Sequence, residues 1–255
     1  MRVTILGSGT SHGVPMIGCD CAVCASPDPR DRRSRVSAVV ALEAGTQFLI
    51  DLSPDLRDQA LRTRLRRIDA VLATHSHADH ILGFDELRRF NVLMQKTMPV
   101  YGDAATLADL RRTFAYAFSA DTPRGGGIPE VTLHEVDGAF EVDGCIVVPV
   151  PIFHGRRPIL GYRIGRFAYL TDCSAIPESS FDLLGGLDVL VLGALRHRPH
   201  PTHFTVAEAV EAATRIGAGR TYLTHICHDL GHHDTEAALP PHVRLAYDGL
   251  VVDIA

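Results

Sequence analysis

Four side chains that commonly bind metals lie within six residues of each other in the first third of the chain. The segment reads Thr74-His75-Ser76-His77-Ala78-Asp79-His80 and follows the apolar run 70–73, which is typical of a buried strand. The chain has 14 histidines, so a single pair would mean little. The full spacing His-x-His-x-Asp-His is much rarer and predicts a metal centre. Imidazole and carboxylate ligands together suit zinc, manganese or iron.

Three cysteines near the start of the chain indicate a second metal site. Cys19, Cys21 and Cys24 lie within six residues. Thiolates are well matched to zinc, and a structural zinc site takes four ligands, so the fourth must come from elsewhere in the chain. The clustering argues against a disulfide framework and favours a reducing compartment, which we expect to be the cytoplasm.

Further candidate ligands stand singly at the ends of predicted strands: His154, Asp172 and His225. A lone buried histidine or aspartate is commonly a hydrogen-bonded core residue. These three residues are therefore candidate ligands only in combination with the central motif. His228 lies three residues after His225 and is our candidate for the fourth ligand of the cysteine cluster. His12 could be a ligand, a substrate contact or a structural loop residue.

The sequence between these residues predicts alternating strands and helices. The predicted strands are Val3–Leu6, Val36–Leu42, Thr46–Ile50, Ala70–Ala73, Met98–Tyr101, Ile146–Val150, Tyr162–Gly165, Phe167–Leu170, Leu187–Leu192, Arg220–Leu223 and a last one within Leu245–Ile254. The predicted helices are Pro54–Leu65, Ile81–Met94, Asp103–Phe118 and Thr205–Ile216, the last opened by a capping box of Thr205 and Glu208. The glycine-rich segment 121–129 is expected to be a surface loop or a lid.

Length and composition favour one domain over residues 1–255, because 46% hydrophobic content in 255 residues can form one sizeable core. The formal charge of −5 provides no overall basic field that would attract nucleic acid. Two local arginine clusters are expected to be solvated surface: Arg30, Arg32, Arg33 and Arg35, and Arg62, Arg64, Arg66 and Arg67. No apolar stretch approaches the roughly 18 residues of a membrane span, so no membrane partner is expected.

The motif His75-x-His77-x-Asp79-His80 resembles the signature of the metallo-β-lactamase superfamily. The resemblance implies an α/β fold, the αββα four-layer sandwich, with a dinuclear metal site at one edge of its two sheets. It implies one ion on His75, His77 and His154, a second on Asp79, His80 and His225, and Asp172 as the bridge. Asp51, at a strand end, would orient the ligands from behind. Two such ions can hold a hydroxide between them.

Four more stretches resemble the PhnP family of cyclic ribose-phosphate phosphodiesterases. They are Gly7-x-Gly9-Thr10-Ser11-x-Gly13-Val14-Pro15, Gly18-Cys19-x-Cys21-x-x-Cys24, Thr224-His225-Ile226-x-His228 and Tyr247-Asp248-Gly249. The resemblance implies structural zinc on Cys19, Cys21, Cys24 and His228, in a loop inserted at about residues 18–35, and manganese or zinc at the active site. It also implies that His203 is the general acid, with Asp79 as the other catalytic residue. Residues 193–198 depart from the family pattern, which affects substrate choice but not the ligands.

These resemblances imply a metal-dependent phosphodiesterase that acts on a small phosphodiester. The expected substrate is 5-phosphoribosyl 1,2-cyclic phosphate, which would give ribose 1,5-bisphosphate. A tRNA 3′-processing nuclease or a cyclic-nucleotide phosphodiesterase shares the ligand set, but the acidic charge and the lack of a long exosite arm disfavour nucleic acid. A non-catalytic carrier, as suspected for a relative in pyrroloquinoline-quinone biosynthesis, is the alternative from another class. A homodimer is left open.

Overall fold

A computed structural model describes residues 1–123, 125 and 127–255. Arg124 and Gly126, in the segment 121–129 that was predicted to be a surface loop or a lid, lie outside the described residues. Within the described ranges, the strands form two seven-stranded sheets. No helix in those ranges is long and apolar enough to cross a bilayer.

The first sheet has the order β14-β1-β2-β3-β4-β5-β6, and the second has the order β13-β12-β11-β10-β9-β8-β7. In chain order, the strands are β1 (Arg2–Gly7), β2 (Ser37–Ala41), β3 (Gln47–Ile50), β4 (Ala70–Leu72), β5 (Met98–Gly102), β6 (Val131–Glu135), β7 (Phe140–Val142), β8 (Cys145–His154), β9 (Arg157–Ile164), β10 (Phe167–Leu170), β11 (Val189–Gly193), β12 (Arg220–Thr224), β13 (Val243–Leu245) and β14 (Val251–Asp253).

Helices cover the outer face of each sheet. They are α1 (Leu56–Thr63), α2 (Ala78–Ile81), α3 (Leu87–Met94), α4 (Ala104–Thr113), α5 (Ala115–Phe118), α6 (Glu178–Phe181), α7 (Val206–Ile216) and α8 (His232–Ala237). Short 3₁₀ turns occur at Pro29–Asp31, Leu82–Glu86 and Asp182–Leu184. Asp103 caps α4, and the capping box predicted for Thr205 and Glu208 is present at α7.

Three apolar layers hold the sheets and helices together. Between the sheets, residues such as Phe48 and Ile50 pack with Tyr162 and Tyr169. A second cluster joins the first sheet to α1, α3 and α4, and a third joins the second sheet to α7. This arrangement confirms the predicted αββα four-layer sandwich. The extent of the domain, residues 1–255, stays a prediction.

Parallel pairing places the chemically active segments at one edge of each sheet. Strands β3 to β6 are parallel in the first sheet, and β10 to β13 are parallel in the second. Since the carboxyl ends of parallel strands lie at the same edge, the loops that follow them converge there. Those loops carry most of the predicted ligands.

The predicted helix Ile81–Met94 is wrong as a continuous helix. It is divided into α2, the 3₁₀ turn at 82–86 and α3. The Gly83 amide donates to the Leu52 carbonyl oxygen at 2.9 Å, and the Leu52 amide donates to His80 at 2.7 Å. A Cβ at Gly83 would lie only 2.1 Å from the Ser53 carbonyl oxygen, so glycine is required for this close approach. The helix is interrupted because its backbone groups bond to the segment after β3.

Two other element predictions need correction. The predicted helix to Phe118 breaks at Phe114, which has non-helical dihedral angles and separates α4 from α5. The predicted last strand within 245–254 is two short strands in different sheets, β13 and β14. The chain crosses between the sheets at residues 246–250, where the Gly249 amide donates to the Ile5 carbonyl oxygen at 2.8 Å.

The two ends of the chain are hydrogen-bonded to each other beside β1 and β14. The amino group of Met1 donates to the Ile254 carbonyl oxygen at 3.0 Å, and the Ile254 amide donates to Met1 at 2.9 Å. Arg2 pairs with Ala41, which pairs with Gln47 at the start of β3. The ends therefore lie at the sheet edge opposite the predicted ligands.

Arg33 corrects the prediction that residues 30–35 form a solvated basic surface. Its side chain is fully buried and forms an ion pair with Asp31 at 2.8 Å. Its guanidinium also donates to the carbonyl oxygens of Cys227 and Leu230, at 3.1 and 2.7 Å. Asp31 in turn accepts from the His232 amide at 2.8 Å. This network fastens the cysteine-bearing loop to the segment that follows β12.

We expect Arg33→Met to lower the free energy of unfolding by about 3–5 kcal/mol, because Asp31 would remain as an uncompensated buried charge. Chemical denaturation at matched metal content measures this change. Arg32→Met is the control, since Arg32 is exposed next to Arg33 and should change stability by no more than about 0.5 kcal/mol. Equal unfolding free energies for the two variants would contradict a stabilising role for the buried pair.

Candidate metal centre

The structure brings the predicted active-site ligands together in two groups. One group contains His75, His77, His154 and Asp172, and the other contains Asp79, His80 and His225. Within each group, the potential ligand atoms lie within 4.8 Å of one another. These groups correspond to the two ligand sets implied by the family resemblance. Their roles as metal ligands stay predictions.

Asp172 faces both groups through different oxygens. Its Oδ1 is 3.3 Å from Nε2 of His80 and 3.4 Å from Nε2 of His225, while its Oδ2 is 3.8 Å from Nε2 of His75. Two ligand atoms that bind one zinc ion at about 2.0–2.1 Å in tetrahedral geometry are roughly 3.3 Å apart. The Nε2 atoms of His75 and His80 are buried and, among the described atoms, have no hydrogen-bond partner. These separations and unpaired nitrogens fit the implied ions.

Hydrogen bonds at Nδ1 orient three of the imidazoles. His80 Nδ1 donates to Asp51 Oδ2 at 2.7 Å, and His154 Nδ1 donates to the Thr202 carbonyl oxygen at 2.8 Å. The Thr74 hydroxyl donates to Asp51 at 2.9 Å and can therefore accept from His75 Nδ1 at 3.0 Å. In each ring this leaves the Nε2 lone pair for a ligand role.

The contacts of Asp51 agree with the orienting role predicted for it, whereas Thr74 and Thr202 were not singled out from the sequence. Thr74 immediately precedes the His-x-His motif, so its position and its hydroxyl group could have identified it as a hydrogen-bond partner of the candidate ligands. Thr202 acts through its backbone carbonyl oxygen, a group that every residue has. No sequence pattern could therefore distinguish Thr202.

Several site residues have left-handed backbone conformations just after a strand. Asp51 follows β3 with φ 62°, Asp172 follows β10 with φ 54°, and His225 follows β12 with φ 58°. Such dihedrals are uncommon for residues other than glycine. They turn the chain sharply at the strand end, so that each side chain enters the space between the loops.

The electrostatics of the site favour bound cations. Burial disfavours the protonated form of His80. The negative charges of Asp172, Asp51 and Asp79 have the larger combined effect and raise the pKa of His80 well above its ordinary value. Burial alone would raise the pKa of Asp172, yet His225 and His80 hold it well below its usual range. Burial lowers the pKa of His75, so its ring is neutral and suited to metal binding. Buried carboxylates that raise the pKa of His80, beside the neutral ring of His75, form a strong cation-binding environment.

His203 lies against the ligands without belonging to the two main groups. Its ring is 4.6 Å from the ring of His154 and stacks on His225 at 4.7 Å. Its Nδ1 is 4.0 Å from Asp172 Oδ2. Burial, and then the neighbouring His225, lower the pKa of His203 to about 3. The ring is therefore neutral at pH 7 unless an anion approaches it.

Two clefts meet above the site. The first, of about 290 Å³, lies between residues 10–13 and the 195–203 loop, and includes His12, His200 and His203. The second, of about 580 Å³, includes Met16, Ile17, Asp79 and Leu82. Ser11, His12 and Met16 line both clefts, so His12 is at the mouth of the site rather than among the ligands. A small substrate can reach Asp79 and His203 from these clefts.

The cysteine cluster has the fourth partner that was predicted for it. Nδ1 of His228 lies 3.3 Å from Sγ of Cys19, 3.4 Å from Sγ of Cys21 and 3.6 Å from Sγ of Cys24. Sulfur and nitrogen atoms that bind one tetrahedral zinc at about 2.3 and 2.0 Å are roughly 3.5 Å apart. The donor set and its spacing therefore fit structural zinc.

Two of the thiols differ in acidity. The amide of Cys24 donates to Sγ of Cys21 at 3.4 Å and lowers the pKa of Cys21 to about 6. Burial raises the pKa of Cys24 to about 11. The hydrogen bond from the Cys24 amide thus favours the thiolate form of Cys21, which is the form that binds zinc.

Asp248 connects the Tyr247-Asp248-Gly249 stretch to the loops around the site through hydrogen bonds. Its carboxylate accepts from the amides of Ser8 and Ser34, both at 2.9 Å. The Ser8 carbonyl oxygen accepts from the Ile226 amide at 2.9 Å. Asp248 therefore joins the start of the glycine loop, the end of the cysteine-bearing loop and the segment that contains His225 and His228.

Known proteins similar to this chain identify its family. The chain matches the β-lactamase superfamily domain over residues 46–226. A solved structure of a new diphosphatase from the PhnP family is 46% identical, with a TM-score of 0.92 over 100% of this chain and 98% of that chain. The chain belongs to the PhnP family of the metallo-β-lactamase superfamily. The predicted family and fold class are confirmed.

More distant relatives of this PhnP-family protein have other names. An octanoyltransferase from Porphyromonas gingivalis is 39% identical over 98% of this chain, but the chain spans only 51% of the length of that protein. A ribonuclease Z from Mycobacterium sp. (strain KMS) is 29% identical over 88% of this chain and 84% of its own length. The similarities to the diphosphatase and the ribonuclease support a hydrolase.

We expect Cys21→Ser to remove about one zinc ion per chain and to leave the other ions bound, since a four-ligand site would lose a thiolate. Metal analysis of the purified protein after gel filtration measures this. Cys145→Ser is the matched control, because Cys145 is a partly buried thiol outside the cluster. An unchanged zinc content in the Cys21 variant would rule out the Cys₃His site.

Proposed function

We propose that this PhnP-family protein is a metal-dependent phosphodiesterase with a dinuclear active site. The observation that carries the proposal is Asp172, whose two carboxylate oxygens face separate groups of imidazoles. One ion would bind His75, His77 and His154, the other would bind Asp79, His80 and His225, and Asp172 would contact both. The similarity to a PhnP-family diphosphatase supports the same chemistry.

When bound, two divalent ions, manganese or zinc, supply an activated water and neutralise charge on the phosphate. The chain itself holds the imidazoles in position through Asp51, Thr74 and the Thr202 carbonyl oxygen. Asp79 lines the second cleft, and its Oδ2 lies 3.4 Å from Nε2 of His80 and 3.5 Å from Nε2 of His225. Its carboxylate is therefore placed to orient the attacking water by accepting a hydrogen bond from it, in addition to its proposed role as a ligand.

His203 is the general acid in this proposal. Its ring lies beside Asp172 and borders the first cleft, so it can reach the oxygen that leaves phosphorus. The low pKa of the buried ring means that it needs an anion nearby to become protonated. A bound phosphate provides that negative charge, and proton uptake by His203 would accompany substrate binding.

Zinc on Cys19, Cys21, Cys24 and His228 would be structural in this proposal. It would fix residues 18–35 to the segment after β12, beside the buried Arg33 pair. His225 lies three residues before His228, so order in the cysteine-bearing loop would be transmitted to an active-site ligand. The described cysteines are all free thiols, which fits the reducing cytoplasm proposed for this protein.

The best substrate proposal is 5-phosphoribosyl 1,2-cyclic phosphate, giving ribose 1,5-bisphosphate. A diphosphate ester is the second candidate, because the 46% identical relative is a diphosphatase. The small volume of the first cleft favours small substrates of this kind. A tRNA-processing role is supported by the ribonuclease Z similarity, but the acidic net charge of −5 argues against it.

The manganese-loaded protein should hydrolyse 5-phosphoribosyl 1,2-cyclic phosphate with a kcat/KM at least about tenfold above its values for a 2′,3′-cyclic nucleotide, a diphosphate ester and a pre-tRNA. All four substrates are assayed at equal enzyme, with chelator-stripped protein as the control. A higher kcat/KM for the diphosphate ester or for the pre-tRNA would contradict the proposed substrate and favour that compound instead. No hydrolysis by fully metal-loaded protein would favour a carrier instead.

Replacing His203 by alanine should reduce turnover of alkyl phosphodiesters by about 10²–10⁴-fold, because an alkoxide needs a proton as it leaves. Turnover of bis(p-nitrophenyl) phosphate should fall much less, since nitrophenolate leaves without a proton. His197→Ala is the control, as His197 is exposed in the same loop. Equal losses on both kinds of ester would reject the general-acid role.

A further inference from the structure

A concentration of basic side chains lines the cleft next to His203. The cleft lies between residues 10–13 and the 195–203 loop, and His12, Arg196, Arg198 and His200 contribute its basic groups. The proposed hydrolysis at phosphorus assigns no task to these arginines. Arginine favours phosphate because its planar guanidinium can donate two parallel hydrogen bonds.

Arg196 and Arg198 differ in how their charges are balanced. Arg198 forms an ion pair with Asp229 at 2.8 Å. In the part of the chain that the structure describes, no carboxylate lies within ion-pair distance of Arg196. The Arg196 guanidinium instead donates to the carbonyl oxygens of Arg198 and Pro199, at 3.3 and 3.2 Å. These bonds hold the Arg196 guanidinium in position. Asp229 also lines the cleft but interacts with Arg196 only beyond ion-pair distance, and the other N–H donors of Arg196 have no described partner.

The rings of His154, His203 and His200 are successive neighbours and extend away from the other candidate metal ligands. The His154 ring lies 4.6 Å from His203, and the His203 ring lies 5.0 Å from His200. Arg196 is close enough to His200 to disfavour its protonation, although burial has the larger effect in lowering the pKa of His200. The basic groups thus lie beyond His203 as seen from the ligands, on the side where a leaving group would extend.

We infer that Arg196, together with His200, binds a second phosphate group, carried by the part of the substrate that bears the leaving oxygen. This inference rests on the proposed phosphodiesterase function and narrows its substrate class. Both a sugar bearing a phosphate ester and a diphosphate place a second phosphate there. The shared requirement is a dianionic group a short distance from the phosphorus that is attacked.

The first test compares substrates that differ only in this group. The wild-type protein should prefer 5-phosphoribosyl 1,2-cyclic phosphate over ribose 1,2-cyclic phosphate, and Arg196→Gln should lower kcat/KM for the phosphorylated substrate by about 10- to 100-fold. Most of the loss should be in KM. Turnover of the unphosphorylated substrate and of bis(p-nitrophenyl) phosphate should change less than about twofold, because neither has the second phosphate.

Matched variants separate binding by Arg196 from a general effect of charge. Arg196→Lys should recover part of the loss, since it restores charge but not the two-pronged geometry. Arg66→Gln is the control, because Arg66 is exposed in the connection between α1 and β4, away from the ligand loops. An equal loss on substrates with and without the second phosphate, or no loss in Arg196→Gln, would overturn the inference.

A binding measurement keeps the inference testable if the protein hydrolyses none of these esters. Calorimetry with the metal-loaded protein should show ribose 5-phosphate binding the wild type about 10- to 100-fold more tightly than Arg196→Gln. Rising salt should weaken the wild-type interaction more strongly. Absent turnover with intact Arg196-dependent binding would reject the hydrolase proposal alone, whereas equal binding by both proteins would reject the second-phosphate site.

Discussion

Burial of Asp51, Asp79 and Asp172 in one small region is the constraint on which the site depends. Each carboxylate loses hydration there, and their mutual repulsion would favour protonation unless positive charge were close by. The pKa of His80 is raised because these groups favour a cation among them. Two divalent ions would meet this need more fully than a protonated imidazole. Metal binding should therefore add to the stability of the fold as well as supply chemistry.

The sandwich satisfies this constraint by drawing the candidate ligands from both halves of the chain. His75 to His80 follow β4 in the first sheet, whereas Asp172 and His225 follow strands of the second. Left-handed residues at strand ends cost roughly 1–3 kcal/mol each and persist only where the surrounding structure holds them. Hydrogen bonds from the Thr74 amide and hydroxyl to Asp51 provide part of that support. Neither sheet alone provides both ligand groups.

The local spacing His75-x-His77-x-Asp79-His80 allowed prediction of four candidate ligands from the sequence, whereas His154, Asp172 and His225 stand singly and could be predicted only from the family resemblance. The sequence also allowed prediction of most of the strands, whose apolar runs are short and clearly bounded, but not of β6 and β7. The buried Arg33 was missed because a run of arginines does not indicate which one has Asp31 and two carbonyl oxygens around it. The break after α2 was missed because its cause, the contact of Gly83 with Leu52, joins segments 31 residues apart. Thr202 acts through its backbone, which no side-chain pattern reports.

The hydrogen bonds between Met1 and Ile254 have a consequence for protein architecture. A short peptide linker could join the two ends with little loss of loop entropy, so the chain is suited to circular permutation. Any polypeptide fused at either end would leave from this same corner, at the sheet edge opposite the ligand loops.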